Sequence, residues 1–456
     1  MKGPEFSALR TLFEEARRQA ARHGRPIVTV SSSPAPDLNP LQLYAANRQG
    51  FFWCSRHPDL TLFGLGSQWQ AQATGNQRLT EINRQWSELC SDALIDGPNP
   101  PILLGGIRFD QQRTMAAHWT AFSDASFHLA HWLVSENHSG RWLSCQRTIE
   151  ASDDPAALAR DSLAAYERML DNPPPAAAPA AHVIERSALP AVQWQANVER
   201  ALQAIGRGDL SKVVLARQVR YQLQASLDSG AVMCRLHDQR SQSHLFAMHR
   251  GDNCFLGATP ERLLSCQDGY LTTHALAGSA PRGLTPDEDQ ALGDRLLADR
   301  KEQHEHRLVV ETIAQRLGDM ASEVQAAARP SLLKLATVQH LSTPIRARLK
   351  EGYSLLEGVQ ALHPTPAVGG LPSATAMSFI RHHEDFDRGW YAAPVGWLDS
   401  EGNGDFLVAL RSALLAPRHC HLFAGCGIVA GSVPASEYRE TEIKLASMEQ
   451  ALLLRW

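Results

Sequence analysis

Leu422 to Gln450 reads LFAGCGIVAGSVPASEYRETEIKLASMEQ. Leu422 and Phe423 predict a hydrophobic strand that ends in a glycine-rich turn, Gly425-Cys426-Gly427. A loop with Pro434 follows, and a helix is expected from about Ala435, with Ser436 as its N-cap. Glu437, Glu440 and Lys444 then recur at i, i+3 and i+7, which puts all three on one helix face. Two carboxylates on one face repel and need a cation. A hard divalent ion such as Mg²⁺ suits oxygen donors. Lys444, one turn further on, would hold an anionic group of whatever the metal holds. The plainer alternative is the solvated charged face of an amphipathic helix. The glycine turn weighs against it, because glycine lets backbone N–H groups approach a ligand.

A second carboxylate pair in the same arrangement, Glu302 and Glu305, lies in KEQHEH, inside an expected long helix from Asp287 to Leu317. Two such pairs on two helices would make an octahedral Mg²⁺ site, and His304 and His306 are not expected as ligands. Lys212 starts the hydrophobic strand SKVVLAR; desolvation there would make it a usable general base, or it snorkels from the strand end. Glu261, in GATPERLL, sits beside an apolar run that would raise its pKa and suit it as an acid, unless it pairs with Arg262. His340 among apolar residues reads most simply as a satisfied core group. Arg411 interrupts the apolar strand Phe406 to Leu415, and a buried arginine needs an anion: a substrate carboxylate, or Glu or Asp of the fold.

Residues 1–171 read as mixed strand and helix without a reactive constellation, hence scaffold. Two strands are expected around a turn at His57-Pro58, a helix at Asn83 to Cys90, and a buried strand Pro101 to Asp110 broken by Gly105-Gly106. Residues 172–185 form a Pro/Ala-rich connector, compatible with a domain boundary or with a loop across one interleaved domain. Residues 186–456 carry every candidate residue. Gly278-Ser279 is expected in a turn, Pro344 in another, and Gly402-Asn403-Gly404 in a hairpin. The chain has 456 residues, 44% of them hydrophobic, and a net charge of −4, with no basic block interleaved with aromatics to suggest a nucleic-acid partner. Its eight cysteines form no CxxC pair, which argues against a zinc cluster and fits reduced thiols in a cytoplasm. No stretch approaches the length of a membrane span, and the first residues read as an amphipathic helix, not a signal peptide.

From about Trp194 to Leu453 the chain resembles the chorismate-utilising enzymes. SKVVLAR, GATPERLL, ALAGSAPRG, KEQHEH, QHLSTPI, LHPTPAVGG, RGWYAAPVGW, VALRSALL, AGCGIVAGS and SEYRETEIK occur in the family order, and GGIRFD extends the likeness into the first half. Within the family the likeness is greatest to isochorismate synthases, especially those supplying salicylate for bacterial siderophores; menaquinone and catecholate pathways stay open. The resemblance implies one large α/β (α+β) domain of two packed antiparallel sheets ringed by helices, and a monomer. It implies Lys212 as the base that activates water and Glu261 as the acid that protonates the departing hydroxyl. Glu305 and Glu440 match inner Mg²⁺ ligands, and Glu302 and Glu437 match carboxylates at or one water from the metal. Gly278, Ser279, His340, Tyr391, Arg411, Lys444 and Gly425 to Gly427 match groups that hold chorismate. A salicylate synthase would share the base, acid and metal residues. An amine-inserting relative would need a glutaminase partner, and Lys212 and Ala277 argue against it. A non-catalytic chorismate sensor is disfavoured by the presence of both Lys212 and Glu261.

Overall fold

Alternating apolar residues along many strands dictate faces that must be covered on both sides. The computed structural model describes residues 4–56, 59–173, 180–239, 243–334 and 338–455. The expected turn at His57-Pro58 and the middle of the proline-rich connector lie outside the described residues. Among the described residues two sheets result, one of 14 strands and one of 10. Strands from before and after the connector share both sheets, and the strand Ala181–Ala188 begins inside the connector. Nearly all ladders are antiparallel; Ile27–Pro34 with Leu94–Asp96, and Ala181–Ala188 with Leu454–Arg455, pair in parallel.

Consecutive side chains take opposite faces of the large sheet. Trp53, Phe255 and Phe423 join the core shared with the smaller sheet, with Phe127 and Phe406. Their neighbours Phe52, Leu256 and Leu422 face a second core, under helices that supply Phe13, Tyr166 and Leu445. Among the described residues no helix is long and apolar enough to cross a membrane. Each of the eight cysteines is a free thiol.

Several local expectations are corrected. Gly425-Cys426-Gly427 is no turn: it lies inside the strand His419–Ile428, laddered to Lys212–Leu223. The following helix is Pro434–Leu452, capped by Val433 without a side-chain bond, so Ser436 is not its N-cap. Proline's fixed φ and missing N–H suit the first helical position. Gly105-Gly106 does not break its strand, Ile102–Ile107. A methyl at Gly105 would sit 2.2 Å from the Ser126 carbonyl, so the glycine admits its neighbour strand. Gly278 and Ser279 lie within the strand Tyr270–Pro281, where Gly278 (φ 77°) forms a bulge. Pro344 lies within Val338–Leu349; its carbonyl accepts from Ala327, so its missing N–H falls where the neighbour changes from Ser331–Lys334 to Ala321–Ala326. Asp287 to Leu317 is two helices, Pro286–Ala298 and Arg300–Gly318. Asp299 between them accepts from the N–H groups of Lys301 and Glu302, starting the second.

Candidate active site

Phe406 to Leu415 is two strands in different sheets. Gly404–Val408 belongs to the smaller and Ser412–Ala416 to the larger, with Arg411 at the crossing in a left-handed conformation (φ 46°). The chain makes a second crossing between Asn253–Thr259 and Arg262–Gln267, and Glu261 sits there. The two crossings brace each other. Ala258 N–H donates to the Arg411 carbonyl at 3.0 Å, and Val408 N–H to the Glu261 carbonyl at 3.0 Å. The Thr259 hydroxyl donates to the Val408 carbonyl at 2.7 Å and accepts from Glu261 N–H at 3.2 Å. Arg262 is committed to Asp405 through two bonds, Nε to Oδ1 at 2.8 Å and Nη2 to Oδ2 at 3.0 Å.

Lys212 opens the strand Lys212–Leu223. A methyl at Gly427 on the adjacent strand would lie 3.0 Å from Lys212 Cε and 3.6 Å from Nζ, so the glycine makes room for the ammonium. Burial lowers the lysine's pKa; Glu261, Glu305 and Glu302 oppose the shift and Lys444 adds to it. Burial raises Glu261 to about 7, against the pull of Lys212 and Lys444.

Gly278 and Gly425 clear space in the same way. A methyl at Gly278 would meet Glu302 Oε2 at 3.1 Å, and one at Gly425 would meet the Tyr391 hydroxyl at 3.3 Å. Tyr391 is buried and stacked on Phe423, ring centroids 5.1 Å apart. Burial lowers Arg411, while Tyr391 and then Glu440 support its charge. Burial also lowers His340, whose ring is bonded by the Gly278 backbone. The side chain of Ser279 lies outside what the structure describes.

Among the described residues no three His, Cys, Asp or Glu side chains stand together at metal-holding separation. Lys444 Nζ donates to Glu440 Oε1 at 2.6 Å and to the Gly425 carbonyl at 2.8 Å, and Lys301 lies 3.9 Å from Glu305. The donor chemistry nevertheless suits a hard divalent ion. Glu437 is raised by burial and by the like charge of Glu440, a crowding that a cation relieves. The Cys426 thiol bonds Glu437 and is held protonated, by burial first. His306 bonds the Thr343 hydroxyl at 2.6 Å and the Ala277 carbonyl at 3.2 Å.

Sequence reasoning missed the supports. Glu384 accepts from Ala216 N–H at 2.7 Å, and Arg388 donates to the Val214 carbonyl at 2.8 Å. Together this buried pair fixes the strand that carries Lys212. Two open cavities lie away from the seam, about 510 Å³ beside Arg186, Tyr221 and Glu442, and about 440 Å³ beside Asn197, Arg200 and His383.

Two packed sheets with this seam define the chorismate-utilising α/β fold. The menaquinone-specific isochorismate synthase MenF of Escherichia coli superposes with a TM-score of 0.79 over 96% of this chain and 99% of that one, at 28% identity. The chain belongs to the chorismate binding enzymes, whose family model matches residues 14–453. It is 44% identical to the salicylate biosynthesis isochorismate synthase of Pseudomonas aeruginosa, over 98% of this chain and 94% of the relative. It is 35% identical to isochorismate synthase MenF of Bacillus subtilis, over 90% of this chain and 88% of that protein.

Proposed function

We propose that the protein is an isochorismate synthase, adding water at C2 of chorismate with loss of the C4 hydroxyl. One observation carries the reading: burial disfavours the charges of Lys212 and Glu261 together, and each is the strongest charge acting on the other. The shifts bring the amine toward the form that takes a proton and the carboxyl toward the form that gives one, as a displacement with a base on one side and an acid on the other requires. Lys212 takes a proton from water as the oxygen bonds to C2. The ring double bonds shift, the C4–O bond breaks, and the proton of Glu261 passes to the departing hydroxyl. One water enters and one leaves.

Glu302, Glu305, Glu437 and Glu440 would hold Mg²⁺, with Glu440 and Glu305 leaving their lysines. The ion offsets the charge of a dianionic substrate among acids. Gly278, Ser279, His340, Tyr391, Arg411, Lys444 and the backbone from Gly425 to Gly427 orient the substrate's carboxylates. The likeness to a relative named for salicylate biosynthesis supports a product that feeds salicylate and thence a siderophore. The enzyme acts in the cytoplasm as a monomer, without a glutaminase partner.

Product analysis with chorismate and Mg²⁺ tests this. Isochorismate without pyruvate is expected; salicylate with pyruvate would make the protein a salicylate synthase instead. Lys212→Ala should abolish turnover while Mg²⁺-dependent chorismate binding persists, and normal turnover in that variant would refute the base assignment.

A further inference from the structure

Arg262 follows Glu261 directly, and a guanidinium beside a carboxyl holds it ionised. An ionised Glu261 has no proton to give. Yet the leading cations at Glu261 are Lys212 and then Lys444, ahead of its sequence neighbour. The reason is geometric. Asp405, 1% exposed in the central strand Gly404–Val408, takes the Arg262 fork in two bonds, and Arg262 Nη2 also donates to Ser55 Oγ at 3.0 Å. Ser55 is itself bonded to His244 at 3.0 Å, and His274 lies within the field of the guanidinium.

We propose that Asp405 is a positioning residue: it draws the Arg262 guanidinium away from Glu261, so that Glu261 keeps its proton and faces the seam. Asp405 acts through Arg262 and touches no reacting atom. The inference rests on Glu261 being the acid of the proposed reaction.

The test uses the full chain with chorismate and Mg²⁺. Asp405→Asn frees the guanidinium to pair with Glu261, so the alkaline limb of the kcat/KM profile should move about one pH unit toward acid. At neutral pH kcat/KM should fall about fivefold. Arg262→Gln combined with Asp405→Asn removes the cation and should return the limb to its wild-type position. If Asp405→Asn does not accumulate folded, Asp405→Ser makes the comparison, and Arg262→Gln added to it should again return the limb to its wild-type position. A second readout needs no turnover: the infrared carbonyl band of the protonated carboxyl, defined as the band missing in Glu261→Gln, should vanish at lower pH in Asp405→Asn. Activity lost without movement of limb or band would overturn the proposal, because a merely structural Asp405 predicts that outcome. Full turnover in Glu261→Gln would instead remove the acid assignment itself, whatever Asp405 does.

Discussion

Gly427→Ala isolates the placement of the Lys212 amine from the integrity of the fold. The added methyl would lie 3.0 Å from Lys212 Cε and 3.6 Å from Nζ, with no other heavy atom inside 4 Å. Gly427 does not have a left-handed φ, so alanine brings no backbone strain. The contact is with the far end of a flexible side chain, which yields by a few tenths of an ångström. Stability should change by less than about 1 kcal/mol, or roughly 1 °C in Tm for a chain of 456 residues. Catalysis is less tolerant: moving a base by a fraction of an ångström to 1 Å costs roughly 10- to 100-fold, or about 1.4–2.7 kcal/mol of barrier. Chorismate turnover and thermal unfolding, run side by side, read both quantities. Gly425→Ala is the contrast, since its methyl would sit 3.0 Å from the Leu215 carbonyl, which cannot swing away; that variant should lose stability as well. Wild-type kcat/KM in Gly427→Ala, or an activity loss fully tracked by a fall in Tm, would refute the reasoning.

Two further outcomes are expected. Glu261 has a folded pKa of about 7 against an ordinary 4.5, so its contribution to stability is present below about 4.5 and lost as pH rises to about 7. Glu261→Gln should therefore be more stable than wild type at about pH 8, by roughly 1–3 kcal/mol in denaturant unfolding, with the gap closing near pH 4. EDTA should silence turnover and Mg²⁺ restore it, and saturating Mg²⁺ should stabilise the folded chain by about 2.7 kcal/mol at 100 times its dissociation constant, an effect reduced in Glu305→Gln.

The charged candidates were legible because each interrupts or borders an apolar run: Lys212 at the head of SKVVLAR, Glu261 before two leucines, and two carboxylate pairs at helical spacing. Their surroundings were not. Glycines in a turn and glycines in a strand read alike until the partner strand is known, and the partner of Gly425 to Gly427 lies far away in the chain, at Val214 to Ala216. Phe406 to Leu415 reads as one strand because both sheets bury it, and apolar periodicity carries no mark of which sheet a residue joins. The change of sheet is a backbone event at Arg411, a residue whose type does not announce a left-handed φ. The Glu384–Arg388 brace and the Arg262–Asp405 pair depend on contacts that no local pattern encodes.

Lys212 and Glu261 attract each other, yet burial disfavours the charge of both. For Lys212 and for Glu261 the largest influence is burial, and the attraction between them only partly offsets it. A stronger attraction would favour the ionised form of each, the form that cannot begin the proposed proton transfers. The balance requires that further cations be kept occupied. Asp405 takes Arg262, and Glu440 with the Gly425 carbonyl takes Lys444. It also requires a backbone that does not relax to close the gap, which the mutual bonds of the two crossings provide at Glu261 and the Glu384–Arg388 pair provides beneath Lys212. A divalent ion that draws Glu440 away would release Lys444 beside Glu261 unless an anionic group takes it at once. Cation and dianion are therefore expected to bind cooperatively, and apparent chorismate affinity should rise with Mg²⁺ concentration in equilibrium binding to the Lys212→Ala variant. Equal affinity with and without Mg²⁺ would show that the carboxylate pairs and the substrate are not coupled.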